Sequence, residues 1–241
     1  MTLFLDLDNT LYDAKYAYSY AISKLDEEWI RKGRLGNFIS LYEKARQETK
    51  ADLKNHSSNR LRILYFKKIF DDLEGKLNID ATLELEDLYF KNFIQAIQNY
   101  VKANQANYKT LFNRLKEISN HHKIFILTNE NLRTQLMKLG AFFPMNIPIQ
   151  LLTSEEIGRE KPSPDFFKRA LKLSGSKPSE CLMVGDNLVD DIKGALGQKI
   201  PSVFVKTIFG EMDYSKTKTL SGKKYTEVSN ILKALTLFPN D

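Results

Sequence analysis

The chain has 241 residues, enough for one large domain or for a core domain carrying a smaller insertion, and two domains are the expectation. With 42% apolar and 27% charged residues, and no stretch of about eighteen uninterrupted apolar residues, it has the composition of a soluble globular protein and excludes a membrane-spanning helix. Thirty-six basic against thirty acidic residues leave a formal charge of +6, but the bases alternate with acids, as in Lys24 to Lys32 and Lys44 to Lys54. A solvated basic surface is expected, without a nucleic-acid or membrane partner. Met1-Thr2 leads straight into an apolar run with neither a basic segment nor a small-residue cleavage site, so the cytoplasm is the expected compartment. Cys181 is the single cysteine and sits in an apolar run, where a small buried side chain with no chemistry is expected.

Leu3 to Leu7 is an apolar strand with no partner nearby in sequence. From Lys15 to Tyr100 the period changes: Tyr18, Ile22, Leu25 and Trp29, then Leu61, Tyr65 and Ile69, then Leu85, Tyr89, Phe93 and Ile97 recur at helical steps. Gly33 and Gly36, the polar run Lys54 to Asn59, and Gly75 to Asp80 interrupt them, predicting four helices in a small bundle with an aromatic core. After about Asn104 helix and strand alternate. Helical spacing over Tyr108 to Ile118 precedes a strand at Ile124 to Leu127, a helix over Leu132 to Leu139 closed by Gly140, and a strand at Ile149 to Leu152. Ser163-Pro164 opens a helix that Ser174-Gly175 ends, followed by a strand at Leu182 to Val184, a helix over Leu188 to Leu196 and a strand at Val203 to Val205. Tyr214 to Lys224 is polar and predicts a surface loop before a last helix bearing Val228, Ile231, Leu232 and Leu235. Short, continuously apolar strands between helices predict a doubly wound α/β fold with a mainly parallel, five-stranded sheet. Residues 1–12 and 105–241 then form the core, and 13–104 an inserted all-helical cap.

In such sheets ligands bind at the carboxyl ends of the strands. Those ends carry Asp6 and Asp8, Thr128 and Asn129, and Gly185-Asp186 with Asp190 and Asp191 beyond, while Lys161 lies just before a helix start. Clustered carboxylates repel one another unless a hard cation compensates them, and oxygen-only ligands suit magnesium. Lys161, Thr128 and Asn129 suit the oxygens of a phosphoryl group. Asp6 is nucleophilic without help at neutral pH, and Asp8 two residues on suits a general acid and base. The competing structural roles are an acidic turn for Asp6 and Asp8, a helix cap for Thr128, a surface position for Lys161, and a helix-dipole pair for Asp190 and Asp191. His56, His121 and His122 lie in polar segments and receive no function.

Four motifs in order resemble the haloacid dehalogenase-like (HAD) hydrolase superfamily, in its phosphatase branch: Phe4-Leu5-Asp6-Leu7-Asp8-Asn9-Thr10-Leu11, Leu127-Thr128-Asn129, Lys161 in Glu160-Lys161-Pro162-Ser163, and Val184-Gly185-Asp186 through Asp191-Ile192. The resemblance implies a Rossmann-like core with a helical cap after the first motif. It also implies Asp6 as nucleophile and metal ligand, Asp8 as acid/base and backbone-carbonyl ligand, and Asp186 as metal ligand. Thr128, Asn129 and Lys161 would hold the phosphoryl group. Either Asp191, which aligns best, or Asp190 would support the metal waters or the lysine. The implied reaction is magnesium-dependent hydrolysis of a small phosphate monoester (a sugar phosphate, nucleotide or phosphoglycolate-like metabolite) through an aspartyl-phosphate on Asp6. Asp8 argues against a dehalogenase. A phosphomutase or phosphotransferase shares the four motifs and differs in its acceptor, while the intact set argues against a catalytically silent phosphate-ligand binding protein.

Overall fold

In the computed structural model, which describes residues 1–54 and 56–239, the five apolar runs form parallel strands: β1 (Thr2–Leu5), β2 (Lys123–Thr128), β3 (Gln150–Thr153), β4 (Cys181–Gly185) and β5 (Ser202–Thr207). β1 pairs with both β2 and β4, β2 with β3, and β4 with β5. The first strand of the chain is thus central in the sheet, and Leu3, Phe4 and Leu5 are fully buried. Helices on both faces explain why these strands are continuously apolar.

The sheet has seven strands, not five. β6 (Ser215–Leu220) and β7 (Lys223–Asn230) form a hairpin whose second strand runs parallel to β5, so the spatial order is β3-β2-β1-β4-β5-β7-β6. This corrects the expected surface loop over Tyr214 to Lys224, and it moves Val228 from the last helix into β7. Ser221 and Gly222 both have positive φ, 49° and 76°, as the tight hairpin turns that match strand twist require. β6 is a solvent-facing edge strand of Lys and Thr, so it lacks the apolar alternation that betrays a half-buried strand. Among the described residues after β7, only Ile231–Thr236 are helical.

The four expected helices of the insertion are α1 (Ala14–Arg31), α2 (Phe38–Asp52), α3 (Arg62–Glu74) and α4 (Ile79–Ala103). Asp13, Asn37 and Asn78 cap three of them, their side chains accepting from Tyr16 N at 2.8 Å, Ser40 N at 2.9 Å and Ala81 N at 3.1 Å. A single tight turn, Ser57–Arg60, precedes α3. Buried rings fill the space between the helices: Trp29 lies 5.3 Å from Phe38, Tyr42 5.7 Å from Tyr65, and Tyr89 5.5 Å from Phe93.

The remaining helices are α5 (Gln105–Ser119), α6 (Leu132–Phe142), the one-turn α7 (Ser154–Ile157), α8 (Pro164–Ser174), α9 (Gly194–Gly197) and α10 (Ile231–Thr236). α6 continues through Gly140, its expected end, and stops before Pro144, where proline disfavours the helical conformation of Phe143. The helix expected over Leu188 to Leu196 is divided. Leu188–Lys193 is wound as a π-turn, with Asn187 O accepting from Asp191 N at 3.0 Å and Ile192 N at 3.2 Å, and α9 follows. Among the described residues no helix is long and apolar enough to cross a membrane.

Gly194 sits where α9 meets α8: a Cβ there would collide with the Phe167 ring and lie 3.1 Å from Pro162 Cα. Gly194→Ala is expected to cost about 1–3 kcal/mol through overpacking, measured by urea denaturation. An unchanged midpoint would contradict this close approach.

Candidate active site

Asp6 follows directly on β1 and donates its N–H to Val184 O at 2.9 Å. The chain then turns tightly, with Leu11 N on Leu7 O at 3.0 Å and Asn9 at φ +62°, a left-handed position that asparagine tolerates. The turn brings the Thr10 hydroxyl to Asp6 Oδ2 at 3.0 Å. Lys161 Nζ donates to Asp6 Oδ1 at 2.7 Å, Asp191 Oδ1 at 2.6 Å and Leu127 O at 2.7 Å. An ammonium has three donors, and all three are committed. Burial opposes the Lys161 charge, but Asp191 and Asp6 outweigh it and hold its pKa above the ordinary lysine range. The backbone of Lys161 is held as firmly. Its N–H donates to Asn129 Oδ1 at 2.6 Å, and Asn129 Nδ2 donates to its carbonyl at 2.9 Å.

Asp191 also accepts from Asn187 N at 3.1 Å and lies against Gly185, where any Cβ would collide with its carboxylate. Only glycine lets β4 pass this close. Carboxylate oxygens of Asp6, Asp186 and Asp191 lie within 4.8 Å of one another. Burial, with the charges of Asp191 and Asp8, raises Asp6 to about 7 despite Lys161. Burial and the neighbouring Asp6 charge raise Asp186 to about 7 as well. Three carboxylates against the single Lys161 charge leave a surplus of two negative charges when all are ionised. An oxygen-only, doubly anionic site fits a magnesium ion. Of the expected metal-ligand set, Asp6 and Asp186 lie in this cluster, but the Asp8 carboxylate does not.

The Asp8 side chain is engaged elsewhere. Lys138 Nζ lies 2.9 and 3.0 Å from its two oxygens, Gln135 Nε2 donates at 3.2 Å, and the Tyr12 hydroxyl donates to Oδ1. Burial alone would raise its pKa, but Lys138 and these hydrogen bonds hold it down at about 2, so Asp8 is ionised in this arrangement. Gln135 Nε2 also donates to Thr128 Oγ1 at 2.6 Å, leaving that hydroxyl its own proton to offer. The sequence reading missed Tyr12, Gln135 and Lys138. A signal was present: on α6, Gln135 and Lys138 share the buried face with Thr134 and Leu139, and polar side chains at core-facing positions of an amphipathic helix call for a partner.

Asp6, Asp8, Thr128, Asn129, Lys161 and Asp186 line one cavity of about 150 Å³, with Asp190 and Asp191 at its wall. Asp191 is the acid on Lys161, whereas Asp190 is half-buried and accepts from Asn187 Nδ2 at 3.3 Å. Arg60 joins this wall from the insertion, its Nε 2.8 Å from Glu160 Oε1, and Arg62 pairs with buried Glu130 at 2.9 Å.

The pattern of the haloacid dehalogenase-like hydrolases matches residues 1–197. The chain belongs to that family. It is 31% identical over 194 residues to a ribulose-1,5-bisphosphate 5-phosphatase from Halopiger xanaduensis, covering 79% of this chain and 78% of the relative. It is 29% identical over 238 residues to a glyceraldehyde 3-phosphate phosphatase from Pyrococcus furiosus, covering 97% and 92%. Among solved structures it resembles the HAD phosphatase from Thermococcus onnurineus, with a TM-score of 0.60, 14% identity, and 100% and 98% of the two chains covered. The 2-haloacid dehalogenase from Pseudomonas syringae has a TM-score of 0.63 at 21% identity, with 85% of each chain covered. These two likenesses concern the fold alone. Family and named relatives together make this HAD hydrolase a phosphatase.

In this HAD hydrolase Lys138 positions Asp8 from a helix outside the four motifs. Lys138→Met is expected to lower kcat on p-nitrophenyl phosphate by about tenfold or more with a smaller change in KM, because it releases the Asp8 carboxylate from its set direction. Lys138→Arg should recover part of the loss. Steady-state kinetics check this, and an unaltered kcat in Lys138→Met would remove Lys138 from the catalytic arrangement.

Proposed function

We propose that this chain hydrolyses a small phosphate monoester with magnesium, and that Asp6 is the nucleophile. The observation that carries the proposal is the fixing of both Asp6 oxygens, Oδ1 by Lys161 at 2.7 Å and Oδ2 by Thr10 at 3.0 Å, at the wall of a cavity that also holds Asp8, Thr128 and Asp186. A carboxylate held in one orientation beside a cation is a prepared nucleophile for a phosphoryl centre.

In the first half-reaction an Asp6 oxygen bonds to phosphorus as the ester oxygen leaves, and the leaving oxygen takes a proton from Asp8. In the second, water attacks phosphorus, Asp8 receives its proton, and the Asp6 carboxylate is restored with release of inorganic phosphate. Because Lys138 holds Asp8 ionised in this structure, its acid role requires Asp8 to take up a proton once substrate is bound, while Lys138, Gln135 and Tyr12 keep the carboxylate in place. Its base role needs no change. The Thr128 hydroxyl would donate to a phosphoryl oxygen and Lys161, its three donors already committed, would contribute its charge, while the Asn129 side chain acts through the Lys161 loop that it grips. Magnesium held by Asp6, Asp186 and the backbone carbonyl of Asp8 would supply charge that offsets the phosphoryl oxygens. We take Asp191 to hold Lys161 rather than the ion, because its two oxygens already accept from Lys161 Nζ and Asn187 N.

We also take 13–104 as a helical cap on a core formed by 1–12 and 105–241. α1 to α4 pack around buried rings in a hydrophobic cluster that continues into the α/β part, and ion pairs Arg60–Glu160 and Arg62–Glu130 join them to the rim of the cavity. A cap seated this way keeps bulk water from the phosphoryl group. The relatives named for ribulose-1,5-bisphosphate and glyceraldehyde 3-phosphate support a small phosphorylated carbohydrate as substrate.

Phosphate release from p-nitrophenyl phosphate should depend on magnesium, stop with EDTA, and fall on the order of 10³-fold or more in Asp6→Asn. Equal rates for wild type and Asp6→Asn would sink the nucleophile assignment. Millimolar magnesium should raise the melting temperature of the wild type by mass action, and Asp186→Asn should remove most of that rise. A shift of the same size in both proteins, followed by differential scanning fluorimetry, would place the ion elsewhere.

A further inference from the structure

A second cavity of about 360 Å³ adjoins the first, and the two share Asp8, Asn9 and Arg60. Its walls come from α1, α2, the Ser57–Arg60 turn, the start of α3 and α4 on one side and from the loop after β1, Glu130 and α6 on the other, with Tyr18, Tyr42, Tyr65 and Phe93 supplying ring surface. Six basic side chains also line it: Lys15, Arg46, Lys50, Arg60, Arg62 and Lys138. Four have acidic partners: Arg46 with Glu43 at 2.9 Å, Arg60 with Glu160 at 2.8 Å, Arg62 with Glu130 at 2.9 Å and Lys138 with Asp8 at 2.9 Å. Of the two bases left over, Lys15 is exposed and its charge acts on Asp186, so Lys50 carries the surplus inside the cavity. Lys15 and Lys50 have no ion pair among the described residues. Lys50 is half-buried, and burial together with Arg46, Arg60 and Arg62 depresses its pKa to about 8 against the opposing charge of Glu160. A partly desolvated amine among three guanidinium groups is unfavourable in the free protein, and an anion would relieve it.

We propose that this cavity is a subsite for a second anionic group on the substrate, so that the enzyme acts on phosphate monoesters whose far end carries a phosphate or carboxylate, with Lys50 and Arg46 as the specificity-determining contacts. The inference rests on the phosphatase reading of the adjoining site. The leaving-group oxygen lies at Asp8, which belongs to both cavities, so the remainder of the substrate extends from Asp8 into the basic cavity. Its carbon skeleton lies along the rings, and its second anion meets the surplus charge on α2. Arg46 supplies a planar donor fork and Lys50 a movable point charge, a pair that accepts either a phosphate or a carboxylate. A neutral far end leaves the surplus uncompensated. Selectivity thus comes from the unpaired Lys50 charge as much as from the contacts made.

The test is calorimetric binding to full-length Asp6→Asn protein in magnesium, which separates binding from turnover. Two matched pairs are compared: glycerol 1-phosphate with 3-phosphoglycerate, and ribulose 5-phosphate with ribulose 1,5-bisphosphate. In at least one pair the second anion should tighten binding by about tenfold or more. The pair that responds distinguishes carboxylate from phosphate. Adding Lys50→Met should bring the preference close to one, while Lys50→Arg should keep it; Lys50→Gln serves if the methionine variant does not fold. Equal affinities within both pairs, or a preference that survives Lys50→Met combined with Arg46→Gln, overturn the subsite. Wild-type hydrolysis of p-nitrophenyl phosphate is measured alongside. A Lys50-dependent preference in a protein that releases no phosphate would retain the subsite and reject the phosphatase reading.

Discussion

The three hydrogen bonds of the Lys161 ammonium group join parts of the chain that are far apart in sequence: Asp6 after β1, the Leu127 carbonyl in β2, and Asp191 in the π-turn after β4. A charge this buried is tolerated only with full pairing, because an unpaired ammonium in the interior costs several kcal/mol. Much of the surrounding structure serves that pairing. Asn129 grips the Lys161 backbone on both its N–H and carbonyl sides, Gly185 makes room for Asp191, and the π-turn after Asn187 carries Asp191 back to β4. The same bond that neutralises Lys161 orients Asp6, so the stability of the loop and the direction of the Asp6 carboxylate are one arrangement.

Around this lysine the molecule divides its charge unevenly. On the core side Asp6, Asp186 and Asp191 outnumber their one cation; in the adjoining cavity half-buried Lys50 stands among bases with no acidic partner of its own among the described residues. Each imbalance is unfavourable in isolation and is relieved by a ligand of opposite sign, a divalent cation on one side and an anionic group on the other. A substrate with anions at both ends would bring the two halves toward balance at once. On the proposed reading, the unfavourable electrostatics of the free protein become a source of selectivity.

Asp8 shows how far a motif extends beyond its own residues. Tyr12 comes from four positions further along the same loop, but Gln135 and Lys138 come from α6, more than a hundred residues away. They decide its charge state. No spacing rule links Asp8 to Lys138, because their contact depends on β2 lying next to β1 and on which face of α6 turns towards β1.

The amino-acid sequence by itself determined the parallel strands, the four amphipathic helices and the motif residues, because short apolar runs, helical periodicity and tight turns are local properties of the chain. The same local reasoning failed at β6 and β7: an edge strand facing water needs no apolar alternation, and its pairing partner β5 is supplied only by the folded sheet. It left Asp190 and Asp191 unresolved for a related reason. Adjacent residues on a regular helix differ by about a hundred degrees in direction, and only the π-turn and the gap at Gly185 turn Asp191 onto Lys161 and leave Asp190 at the rim. The basic surplus in the second cavity was equally hidden, since Lys15, Arg46, Lys50, Arg60, Arg62 and Lys138 stand apart in the sequence among alternating charges. Burial and pairing are properties of the assembled structure, and they decide which of those charges remain free to meet a ligand.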